Sequence, residues 1–146
     1  MRNTAALAVT RDAHARLIGV AGAALVASSL VGGVASVLAG TNTWGNAWTA
    51  EATLAAPWPM LVLQTAATLA AVRPQRVAAI VGSSVLGLSA AVAGISGFFD
   101  GQLGRADLSR WFVAAQIAYV VLAWLTVLAA GLRLRQLLRN RPRVSS

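Results

Sequence analysis

The chain has 146 residues, 58% hydrophobic and 11% charged, with a formal net charge of +8. Soluble domains carry roughly 25% charged residues, and so short a chain cannot bury this much apolar surface within itself. A soluble globular domain is therefore excluded, and the absence of cysteine excludes disulfides, thiol redox chemistry and cysteine-ligated metals together.

Residues 1–16 form a leader carrying Arg2, Arg11, Arg16 and the only histidine, His14, close to Asp12. A lone histidine among solvated charges gives no metal or haem site. Residues 5–16 are expected to form a short helix along a membrane surface. A bilayer core takes roughly 20 apolar helical residues, and four stretches reach that length, beginning with 17–40. Val37 and Ala39 mimic a signal-peptidase site, but this run far exceeds the usual h-region of about 7–15 residues. An uncleaved helix is expected. Within it Ala24, Ser28, Gly32, Ser36 and Gly40 recur every four residues, a small-xxx-small face suited to close helix approach.

The connection "TNTWGNAWTAEATLAAPWP" (41–59) holds Trp44, Trp48 and Trp58. With Trp111, which falls at the same boundary, they form half of an aromatic belt. Alternation of Asn42, Trp44, Asn46 and Trp48 fits a strand, whereas the Trp44–Trp48 spacing fits an interfacial helix. Anchoring is the favoured role, a ligand lid the alternative.

The second span, 54–72, starts with Pro57 and Pro59 in its first turn, where a missing N–H costs little. Gln64 lies roughly 10 Å inside it. "RPQR" (73–76) is a tight turn with Pro74 well placed. The third span, 77–99, carries Ala79, Ser83, Gly87 and Ala91 on one face, with Gly82, Ala90 and Gly94 beside them. The first and third helices are thus expected to form the tightly packed centre, through Ser28, Gly32, Ser36, Gly40, Ser83 and Gly87. The polar loop 100–110 follows, with Asp107 expected to cap the next helix. The fourth span, 111–132, carries Gln116 and Tyr119 at a depth matching Gln64, and the three suggest interhelical hydrogen bonds or a small polar pocket. The tail places Arg133, Arg135, Arg139, Arg141 and Arg143 directly after the span, suited to anionic lipid headgroups. Leu134, Leu137 and Leu138 give the tail an apolar side that extends the helix. Without aromatics it does not read as a nucleic-acid binder.

Ten of the twelve arginines fall in segments 1–16, 73–76 and 133–146, and two in the opposite loops. The positive-inside rule then sets both termini in the cytoplasm. The expectation is an all-α, four-helix integral membrane bundle, a single multi-pass domain of a bacterial inner membrane. Its gross layout is similar to that of many small four-span bacterial membrane proteins.

No Asp, Glu, Lys, Arg or His lies within any of the four spans. Proton-coupled transport normally requires one, and a catalytic serine needs a base beside it. The chain therefore reads as a non-enzyme without cofactor. The first functional expectation is an accessory or scaffold subunit, partnered by another membrane protein or by copies of itself. The alternative is a binder or carrier of a lipid or apolar small molecule, with an outer mouth formed by Trp44, Trp48, Gln64, Gln116 and Tyr119.

Overall fold

The computed structural model of the chain describes residues 2–50, 52, 54–99 and 109–139, with side chains described from Ala13 onward. Four helices follow in order: α1 (Arg2–Leu38), α2 (Trp58–Ala71), α3 (Arg76–Phe99) and α4 (Arg110–Arg139). The fold is all-α. α1, α3 and α4 are each long and apolar enough to cross a membrane, whereas α2 is a shorter apolar helix of 14 residues.

Each helix packs against its neighbours in sequence, and α4 closes the ring on α1; α1 and α3 lie across a diagonal. Glycine contacts set the directions. Gly19 faces Val72, Gly22 faces Thr68, and Gly33 faces Trp48, so α1 and the α2 hairpin arm run antiparallel. Gly87, Gly94 and Gly97 face Ala130, Trp124 and Val120 in turn, so α3 and α4 do likewise. One end of the bundle carries the 39–57 connection and is called the loop end. The other carries residues 72–75 and is called the turn end.

The interior is built from small residues. Ala67, Ala71, Ala129 and Ala130 pack with Ile18 and Leu86, and Ala90 and Ala123 pack with Leu25. Large apolar side chains, including Val20, Val62, Leu88, Val121 and Leu128, point outward. This inverts the soluble pattern. Such a pattern fits helices that are apolar enough to cross a membrane, because lipid is as apolar as leucine and small residues let backbones approach.

Several boundaries differ from the sequence expectation. α1 does not break at Leu17; it runs back to Arg2 as one helix. Glycine and proline are absent from residues 2–18, so nothing interrupts it. α2 starts at Trp58 rather than Leu54. A helix from Leu54 would hold both Pro57 and Pro59 where a ring meets a carbonyl one turn back. Instead Pro57 is the N-cap, extended at φ −57° and ψ 149°, and Pro59 falls in the first turn. α4 continues through the first arginines of the tail to Arg139, as expected.

Gly40 is not a packing residue. It has φ +73°, and a Cβ at that position would have no neighbour within 4 Å. Its N–H donates to the Val37 carbonyl and the Thr41 N–H to the Ser36 carbonyl, the paired bonds of a Schellman ending that favours glycine. Nor do α1 and α3 form the packed centre. Among the glycines of α3, only Gly82 meets backbone: a Cβ there would meet Ala67 O and Ala70 C of α2, each at 2.7 Å. A bundle of sequential hairpins leaves its first and third helices diagonal, so their small faces serve other neighbours.

Candidate binding site

The connection after α1 is neither strand nor helix. Residues 44–48 form consecutive turns, pinned by Asn46 Oδ1, which accepts from Thr43 N at 2.7 Å and Thr43 Oγ1 at 3.1 Å. Asn42 Nδ2 donates to Ser36 Oγ at 3.0 Å, fastening the chain to the end of α1. The three tryptophans form a row, with centroids 6.3 Å apart for Trp44–Trp48 and 5.4 Å for Trp48–Trp58. Trp48 lies against Gly33, whose missing side chain makes room for the indole. Trp44, Trp58 and Trp111 are exposed.

After the turns the chain dips into the bundle. Leu54 and Ala56 are buried. The Ala56 N–H donates to Ser29 Oγ of α1 at 2.6 Å, and the Leu54 carbonyl lies over Gly32, where any Cβ would collide with it. Ser29 is nine residues before the end of α1, about 14 Å down the helix. Backbone buried among helices must have its polar groups satisfied. Ser29 supplies an acceptor, and Gly32 leaves space for the carbonyl.

This dipping segment, together with the loop ends of α3 and α4, borders a partly open cavity of about 450 Å³. Thr49, Leu54 and Ala56 come from the connection, Met60 from α2, Ala93, Ser96 and Gly97 from α3, and Gln116 and Tyr119 from α4. Cavities of about 300–1,000 Å³ suit small-molecule ligands. The described lining holds no charged side chain. Gln116 is 3% exposed, and its amide makes one contact, Nε2 to the Gly97 carbonyl at 3.5 Å. That distance is long for an N–H···O bond, so the carboxamide keeps donor and acceptor capacity for a guest. Ser96 Oγ donates to the Val92 carbonyl at 2.8 Å and retains lone pairs to accept.

The expected pocket residues separate. Gln116 and Tyr119 line the cavity; Gln64, Trp44 and Trp48 do not. Gln64 is fully buried one helical turn below Met60, and neither of its amide atoms has a hydrogen-bond partner. It is not the interhelical bridge that its position suggests. Replacing an unpaired buried polar group by an apolar one of similar shape removes a desolvation penalty of about 1–3 kcal/mol. Gln64→Met is therefore expected to raise the unfolding midpoint, and a lowered midpoint would show that the amide is satisfied in the native protein.

The other expected residues are placed as follows. Ser28 is half-buried and donates to the Leu25 carbonyl of its own helix at 2.9 Å. Ser36 Oγ is buried and donates to the Gly33 carbonyl at 2.8 Å. Ser83 is buried with an unpaired hydroxyl, and Gly87 packs on Ala130 of α4. Arg133 is a correction: its guanidinium turns inward, 3% exposed, with Nη1 donating to Gln136 Oε1 at 3.0 Å. Arg135 and Arg139 are exposed. Arg141 and Arg143, and the Asp107 cap, lie outside the described residues.

Sequence reasoning missed Ser29, Met60 and Ser96. The Pro57–Pro59 pair was the available signal that the preceding residues leave the helix; nothing in the sequence shows that they enter the bundle. Comparison with protein-family models, with curated proteins and with solved structures gives no match.

Proposed function

We propose that this chain is a non-catalytic, multi-pass protein of a bacterial inner membrane that binds an apolar or amphipathic small molecule in a pocket open to the outer side. The arginine distribution supports cytoplasmic termini, which makes the loop end the outer end. The observation that carries the binding role is the cavity of about 450 Å³ with the buried, under-bonded Gln116 on its wall. Among the described residues no group of three or more His, Asp or Glu side chains could hold a metal. Arg135 and Arg139 suit anionic headgroups of the inner leaflet.

The subunit alternative drew on the small-residue faces of α1 and α3. Gly82, Gly87 and Gly94 all face atoms of this chain, so the α3 face is already occupied, whereas the α1 face is covered at Gly32 by the Leu54 carbonyl and stays partly open at Ser28 and Ala35. What favours a membrane-protein partner or a second copy is a wholly apolar groove of Leu30, Val31, Val34, Leu38, Trp48 and Trp58.

The test is purification from native membranes in mild detergent, with mass spectrometry of co-purifying proteins and small molecules. One lipid or apolar compound is expected to be enriched, and to fall about tenfold, or ~1.4 kcal/mol, in Gln116→Leu. Stoichiometric recovery of another membrane protein without an enriched compound would transfer support to the subunit reading.

A further inference from the structure

The cavity does not stand alone. A second, almost wholly apolar slot of about 310 Å³ opens between α1 and α4. Its walls are Ser28, Gly32 and Ala35 on one side and Ala115, Ala118 and Leu122 on the other, with Trp111 at its outer end. Leu54 and Tyr119 line both spaces. The two side chains form a shared partition between a half-polar chamber inside the bundle and an apolar slot on its lateral face. From Trp111 to Leu122 the slot follows α4 for about 17 Å.

The two spaces differ in chemistry in the way an amphiphile differs along its length. The chamber offers carboxamide and hydroxyl groups and no described charge, so it matches an uncharged head that both donates and accepts hydrogen bonds. Among the described residues an ionised head would find no counter-charge there, and burying an unpaired charge is strongly unfavourable. Apart from Tyr119 and the Ser28 hydroxyl, which donates to the Leu25 carbonyl of its own helix, the slot offers small and apolar side chains, so it matches a hydrocarbon chain.

We propose that the ligand is a neutral-headed, chain-bearing lipid, with its head in the chamber beside Gln116 and its chain passing Leu54 and Tyr119 to lie between α1 and α4. This rests on the binding role proposed above and adds the ligand class and the exit path. A head held at this depth, with the chain continuing into the bilayer, allows the lipid to enter sideways from the outer leaflet without leaving hydrocarbon.

The experiment uses the full-length protein in neutral-lipid nanodiscs and a monoacylglycerol bearing a diazirine at mid-chain. After irradiation the cross-linked peptides are mapped. Labelling is expected in residues 28–35 of α1 and 115–122 of α4. Excess unlabelled monoacylglycerol should suppress it about tenfold, while the fatty acid of the same chain should not. Ala118→Trp fills the slot and Ala93→Phe fills the chamber, and each should abolish the competed labelling. Ala118 is exposed, so its replacement leaves packing intact; Ala118→Leu with an unchanged unfolding midpoint guards against misfolding.

Competed labelling elsewhere, removed by Ala93→Phe alone, would overturn the exit path while leaving the chamber as a binding site. Equal competition by the fatty acid would overturn the neutral head. Labelling that no competitor reduces would overturn the inference entirely. If native membranes also yield no enriched compound, the binding role falls with it.

Discussion

Gly82→Ala is expected to destabilise the bundle by about 1–3 kcal/mol, and Gly82→Leu by more. The added Cβ would lie 2.7 Å from Ala67 O and Ala70 C, well inside van der Waals contact. These are backbone atoms of α2, and no rotamer change relieves them. α2 itself must move. It has 14 residues and is tied to α3 through residues 72–75, so displacing it also shifts Met60, which lines the chamber. In the membrane setting proposed for this chain, helix association would rely on packing and close approach rather than apolar burial, so the lost contact would not be recovered elsewhere. Gly131→Ala is the control. A Cβ there has nothing within 4 Å, and alanine for glycine in a helix gains roughly 0.5–1 kcal/mol. Unfolding of both variants in bicelles checks the pair. Wild-type stability for Gly82→Ala would show that α2 and α3 are not in backbone contact there.

Ser29→Ala is expected to cost about 1–3 kcal/mol and to loosen the connection selectively. Its hydroxyl is the acceptor for the buried Ala56 N–H at 2.6 Å. Removing it orphans a backbone donor where water does not reach. Neighbouring Leu54 partitions the chamber from the lateral slot, so ligand retention should fall as well. Ser29→Thr keeps the acceptor and should restore most of the loss. Hydrogen exchange at Ala56 is the direct readout: faster exchange in Ser29→Ala and near-native exchange in Ser29→Thr are expected. Unchanged exchange in Ser29→Ala would mean that Ala56 has another partner.

Legibility in the sequence followed the physics of each element. α3 and α4 were readable because charge-free apolar runs of this length exceed any ordinary strand and fit a helix. The start of α2 was not, because "LAAP" is as apolar as the helix after it. Hydropathy does not distinguish a buried extended segment from a buried helix. The small-residue stripes were legible as faces, since period fixes which residues share a side. Their partners were not, because Gly32 meets a connection carbonyl and Gly33 an indole, contacts set by where the chain returns. Gln64, Gln116 and Tyr119 were recognisable as polar side chains in apolar surroundings. Rotation of each helix then separated them, placing Gln116 and Tyr119 on the cavity wall and Gln64 in a sealed interior.

By itself, the order of amino acids determined the helical class, the approximate spans, the asymmetric placement of arginine and the absence of thiol chemistry. Each of these follows from local composition and from the length of a hydrocarbon layer. Only the tertiary structure decided that α1 and α3 lie across a diagonal, that residues 54–57 enter the bundle, that Arg133 turns inward, and that a half-polar chamber adjoins an apolar slot at Leu54 and Tyr119. Those features depend on which helix faces which, and in a bundle of small residues that is settled by shape at contacts distant in sequence.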